Sequence, residues 1–297
     1  MTVRGLVVLS VLVVLTACAP PVAGPPSLAP AGDELTEPER IQLEKAEYLL
    51  VRRCMTRAGF RYWLPRVLTV EERKGSRYML TDLGWARKHG YGLRLKQELT
   101  AAKEHDPNLA YVNGLSADQR GRYNDALDGG PGAATVTVKL PSGGTVSGSS
   151  GGCVGEARDK LYADHEAWFR VSKIATNLLP LYVPDLVADR RFTAAVRAWS
   201  RCMAGQGHEY ADPGAIRAAL PRLTKGLGPD RAQALEVELA VAEATCARRT
   251  SYAETTRPLE REYRDRASRP YARELALHRR LERAALERAR LIIGSGA

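Results

Sequence analysis

Two stretches carry the side chains best suited to chemistry, and they share one frame. Cys54-Met55-Thr56-Arg57-Ala58-Gly59-Phe60-Arg61-Tyr62 is followed by Pro65, and Cys202-Met203-Ala204-Gly205-Gln206-Gly207-His208-Glu209-Tyr210 by Pro213. A thiolate beside a thioether is a soft ligand pair of the kind that suits Cu(I). The chain, however, has no Cys-x-x-Cys, no run of methionines and no histidine at ligand spacing, and a structural zinc site would need close cysteine pairs. No metal and no cofactor is expected. Gly148-Ser149-Ser150-Gly151-Gly152 has the letters of a nucleophile elbow but reads as a Gly/Ser loop beside a single hairpin, without the mostly parallel sheet that motif needs. Asp164-His165-Glu166 could suggest acid–base or metal work, but a second zincin histidine is missing. His165 falls on an apolar stripe, so a packed, hydrogen-bonded histidine is expected. No residue is assigned a catalytic role.

The remaining chemistry of cysteine is acylation and cross-linking. Met1 to Arg4 is a short positive start, Gly5 to Leu15 an apolar run, and Leu15-Thr16-Ala17-Cys18 closes it. Eleven apolar residues are too few to span a bilayer, which takes about 20, and read as a secretory signal. The last four residues resemble the lipobox of bacterial lipoproteins, which implies that Cys18 becomes the acylated first residue of the mature chain. Residues 1–17 are then a signal peptide. Two acyl chains suffice for stable anchoring. Of five cysteines, four remain, and outside the cytoplasm four cysteines are expected to form two disulfides. Three pairings can be drawn. The repeat favours Cys54 with Cys153 and Cys202 with Cys246, each tying a motif helix to a later helix of its own half. The main competitor joins equivalent residues, Cys54 with Cys202 and Cys153 with Cys246.

The elements that must position these groups are mostly helical. Residues 18–35, rich in Pro, Ala and Gly, read as a flexible tether. A first unit, 36–180, opens on Thr36-Glu37-Pro38-Glu39, a helix start, and Gly59 ends that helix. Short helices are expected over 81–89, 93–105 and from the capping box at Ser116 to about Leu127. Ala134 to Leu140 alternates Thr and Val, turns at Pro141–Gly144 and returns, which is a β-hairpin pattern. Val154 to Leu179 reads as one helix. A second unit, 181–297, carries the second motif helix, with Phe192, Val196, Trp199 and Cys202 on one face and Gly205 or Gly207 as its stop. Helix-forming sequence then runs to Ile293, with breaks or kinks expected at Pro258 and Pro270. The fold class is therefore mainly α: two disulfide-stapled helical units with one small β-hairpin in the first.

The formal charge of +10, carried largely by arginine, favours anionic partners such as lipid headgroups or wall polymers. The Arg-rich tail from Arg257 to Arg290 could lie on a membrane, but a water-facing helix of i,i+4 pairs is the preferred reading. No nucleic-acid module is recognisable and no such partner is expected. The signal, the Arg/Ala/Gly-rich composition and the twin Cys-Met-x-x-x-Gly frames resemble secreted lipoproteins of high-GC Gram-positive bacteria, although the first copy has Val51 where the second has Trp199. The resemblance implies a location and a disulfide scaffold, and no mechanism. The expectation is an anchored lipoprotein on the extracytoplasmic face of the cell membrane. It would be a binding or accessory protein rather than an enzyme, serving a ligand or a membrane protein complex. The alternative is a wall-modifying hydrolase. Phe60, Tyr62, Trp63, His208 and Tyr210, which line the motif turns, are the candidate interaction residues.

Overall fold

A computed structural model describes residues 34–74 and 78–295. The expected signal peptide, the lipidation site Cys18 and the tether up to residue 33 lie outside the described residues. The first core is built from α1 (Glu37–Arg57), α6 (Ala117–Asp128), α7 (Gly152–Tyr162) and α14 (Ala272–Gly294). Short helices α2 (Val70–Arg73), α3 (Leu83–His89), α4 (Leu93–Glu104) and α5 (Pro107–Asn113) precede α6, and the hairpin β1 (Thr135–Lys139) and β2 (Thr145–Ser149) precedes α7. Next come α8 (His165–Ala175), α9 (Leu179–Ala188), α10 (Arg190–Ala204), α11 (Pro213–Leu223), α12 (Pro229–Arg249) and α13 (Tyr252–Ser268). The second core gathers Tyr182, Phe192, Trp199, Met203, Ile216, Leu239, Cys246 and Leu259 from α9 to α13. Among the described residues no helix is long and apolar enough to cross a membrane.

The repeated frame is a helix ending. In α1, Gly59 takes φ of 85° and the Phe60 amide donates to the Met55 carbonyl at 2.9 Å. In α10, Gly207 takes φ of 83° and the His208 amide donates to Met203 at 3.0 Å. Both are a glycine in the left-handed region with a bond reaching back five residues, which satisfies carbonyls that the last helical turn leaves open. Met55 and Met203 are fully buried. The cysteine before each is cross-linked: Cys54 to Cys153 and Cys202 to Cys246, with Cα atoms 5.4 and 5.6 Å apart. Each bond ties the last turns of a motif helix to its neighbour, α7 or α12. Of the two glycines offered as the second stop, Gly207 is the one in the left-handed region; Gly205 keeps a φ of −65°.

The hairpin pairs Thr135 with Ser149 through Lys139 with Thr145. Val136 and Val138 turn inward onto Phe169 of α8, which gives two strands the apolar support they need. Residues 154–179 are two helices and not one. Ala163 adopts φ of 66° and Asp164 caps α8 by accepting the Ala167 amide at 2.8 Å. Pro258 does not interrupt α13; the break lies at Ser251, with φ of 50°. Pro270 does interrupt, within a 3₁₀ turn, Arg269–Tyr271.

The cores do not follow the chain division at 180/181. The basic tail returns to the first core, where Ala285, Leu286 and Ala289 of α14 pack with α1 and α7. Three of its arginines reach other elements: Arg283 and Arg290 pair with Glu39, and Arg288 bonds the Leu161 carbonyl, while Arg266 pairs with Glu262 and Arg290 with Glu287 along their own helices. Conversely, α3 leaves the first half of the chain and packs on α12 through Trp85, Ala86, Ala240 and Ala244.

Candidate functional site

The residues nominated by the motif turns fall in two places. Phe60, Tyr62 and Trp63 flank the first core, whereas Tyr210 packs on the second and His208 lies half-buried beside its helix ending. They do not form one site. Tyr210 serves the turn itself, its carbonyl accepting the Ser200 hydroxyl at 2.7 Å.

Around the first turn the aromatic rings form a continuous series. Phe60 meets Tyr123 edge-on at 5.3 Å, Tyr123 meets Tyr111 at 6.0 Å, and Tyr111 meets Trp63 at 5.7 Å. After Gly59, Phe60 and Tyr62 are half-buried, and Arg61, Trp63 and Leu64 are exposed. Asn108 of α5 holds this stretch in place. Its Oδ1 accepts the Trp63 amide and its Nδ2 donates to the Trp63 carbonyl, both at 2.9 Å. Asn108 is itself held by Asp106, the N-cap of α5, which accepts its amide at 2.8 Å. Burial pushes the Tyr62 hydroxyl up to about 12, so it stays protonated and neutral. The outer surface consists of Trp63, Leu64 and Leu109, which are 38%, 42% and 49% exposed.

Buried ionisable groups are the other places where chemistry could reside. Glu243 of α12 is fully buried. One oxygen accepts the Leu80 amide at 2.6 Å and Arg217 at 3.2 Å, and the other accepts the Tyr91 hydroxyl at 2.8 Å. Two turns earlier, a single oxygen of Glu236 accepts the amides of Tyr91 at 2.6 Å and Leu93 at 3.0 Å. Glu236 thereby stands in as the N-cap of α4, where Gly92 has no side chain to offer. A Cβ on Gly90 would come within 2.8 Å of Glu236, so glycine is required for this approach. Burial raises both carboxyls, while Arg217 pulls Glu243 down and the backbone amides pull Glu236 down. These two acids hook residues 80–93 onto α12. The sequence reading missed them, although a signal existed: 236, 239, 240, 243, 246 and 247 are buried at helical spacing, and two of the six are glutamate.

His165 is buried against Trp168 and Phe169, as its stripe implies, but neither ring nitrogen has a hydrogen-bond partner among the described residues. The expected hydrogen bonding is therefore corrected. Burial, aided by Arg158, lowers its basicity, so the ring is neutral. Among the described residues, two shallow clefts stand out. One of about 310 Å³ lies between α2, α3 and α4, with Glu71, Lys88, His89, Arg94 and Glu98 on its walls. There His89 stacks on Trp85 at 4.2 Å, and its Nε2 is 3.8 Å from Glu71. The other, about 210 Å³, is bounded by Glu44, Glu47, Tyr48, Tyr162 and Glu282. Its acids are already paired, Glu44 with Arg73, Glu47 with Arg158 and Glu282 with Arg40.

No family model matches the chain, no curated protein is similar to it, and no solved structure matches its fold.

Proposed function

We infer that this chain is a lipid-anchored extracytoplasmic protein whose task is binding or accessory rather than catalytic. The observation that carries the reading is how its buried acids are used. Glu236 and Glu243, which line neither cleft, bond the protein's own amides, hydroxyl and guanidinium, and Glu282, on the wall of the smaller cleft, is paired with Arg40. A general acid or base must instead reach a reacting group in a cleft. The lipobox-like Leu15-Thr16-Ala17-Cys18 supports the anchor. The two disulfides support an oxidising compartment. Arginine-rich composition and the preformed Trp63 surface suit an anionic or amphipathic partner rather than a small apolar ligand.

Affinity capture of the lipidated protein from membranes tests this reading. Recovery with a stable membrane or wall-synthesis assembly supports it. The second reading, a wall-modifying hydrolase, rests on His89 beside Glu71 in the larger cleft. Turnover of wall fragments by the purified protein, abolished in His89→Gln, would replace the binding assignment.

A further inference from the structure

We propose that the Trp63 surface docks into the headgroup layer of an anionic bilayer, so that the protein meets its membrane by a second contact besides its anchor. The inference rests on the lipid-anchored reading. Apolar residues exposed singly are ordinary on protein surfaces. Trp63, Leu64 and Leu109 share one place, since Asn108 next to Leu109 grips the Trp63 backbone. Two basic residues flank them, Arg61 and Arg66, the latter also bonded to Glu72.

This composition fits a bilayer interface. Indole and phenol rings have an apolar body and a polar edge, and they concentrate at headgroup depth. A guanidinium beside them gains from anionic lipid within a Debye length. Reach is not limiting. The covalent length of chain from Cys18 to Thr36 allows a span of at most about 60 Å, roughly twice the ~30 Å length of α1. The loop at the far end of α1 can therefore come down on the leaflet that holds the acyl chains. Its backbone is clasped by Asn108 and underlain by Phe60 and Tyr123, so little ordering cost remains on contact.

The four tryptophans make the test direct. Trp85 and Trp199 are buried, and Trp168 is half-buried and stacked on Tyr162 at 4.0 Å. Trp63 is the exposed one. The lipidated full-length mature protein is reconstituted into phosphatidylglycerol-rich vesicles with and without brominated acyl chains. Docking predicts loss of part of the tryptophan emission in brominated vesicles, disappearance of that loss in Trp63→Phe, and its reduction in Leu64→Asn. Retained native circular dichroism confirms that both variants fold. No quenching in the wild-type protein, or quenching that persists in Trp63→Phe, overturns the proposal and leaves the patch to a protein partner. Intact mass of the same sample reports acylation of Cys18 separately, so failure of the anchor is distinguishable from failure of docking.

Discussion

Replacing Glu243 with glutamine tests the idea that buried acids on α12 hold residues 80–93 in place. The side chain is fully buried and uses both oxygens, one for the Leu80 amide and Arg217, the other for the Tyr91 hydroxyl. Glutamine keeps the shape but presents an NH₂ to one of these donors, and it removes the negative charge that accepts from Arg217. Breaking a fully buried pair costs about 3–5 kcal/mol. The Arg217 side chain is 25% exposed and lies over the Tyr91 ring at 4.9 Å, which cushions the loss, so about 3 kcal/mol is expected. In urea, with a slope of about 3 kcal/mol per molar for a chain of this size, the midpoint should fall by about 1 M. Glu236→Gln provides the internal contrast. A single oxygen of Glu236 accepts both amides, so a glutamine carbonyl can replace it at a cost of about 1 kcal/mol. Equal midpoints for Glu243→Gln and wild type, or equal losses in the two variants, would refute the reasoning.

Three further outcomes follow from the same geometry. Serine in place of both cysteines should cost about 4.7 kcal/mol for the 54–153 pair and about 4 kcal/mol for 202–246, from loop separations of 99 and 44 residues; urea midpoints under non-reducing conditions check the order. Gly59→Ala and Gly207→Ala should each cost about 1 kcal/mol, from backbone strain alone, because nothing lies within 4 Å of the added Cβ at either site; thermal melts read it. His278 is pushed from 6.5 down to about 4 by burial, then by Arg40 and Arg279. A depressed histidine contributes stability that is present above pH 6.5 and lost as pH falls toward 4, since only the unfolded chain takes up the proton. The contribution is at most about 3 kcal/mol. Glu282, 3.6 Å away and raised by burial, acts with the opposite sign. The histidine's part is therefore the difference in pH slope between wild type and His278→Gln.

Local structure was legible wherever one residue type decides it. Thr36 marks a helix start because Glu39 reaches back to its amide, Gly59 marks an end because only glycine takes that φ cheaply, and alternating Thr and Val mark the hairpin; at the second motif Gly205 and Gly207 were both open. The disulfide pairing was favoured by the repeat, and the structure has that pairing. Packing partners were not legible. Periodicity identifies the buried face of α14 but not that α1, more than two hundred residues away, covers it. The split at Ala163 was hidden because an alanine in the left-handed region has no sequence signature. Exposure of Trp63 depends on Asn108, 45 residues away, and is invisible to any local window.

The central claim is an extracytoplasmic protein held to the bilayer by acyl chains and stapled by two disulfides. Peptide mapping of the native protein from the membrane fraction, under non-reducing conditions, tests it most directly. The account predicts an acylated N-terminal Cys18, with Cys54 linked to Cys153 and Cys202 to Cys246. A membrane-fraction protein that still begins at Met1, or an unmodified Cys18, would contradict it.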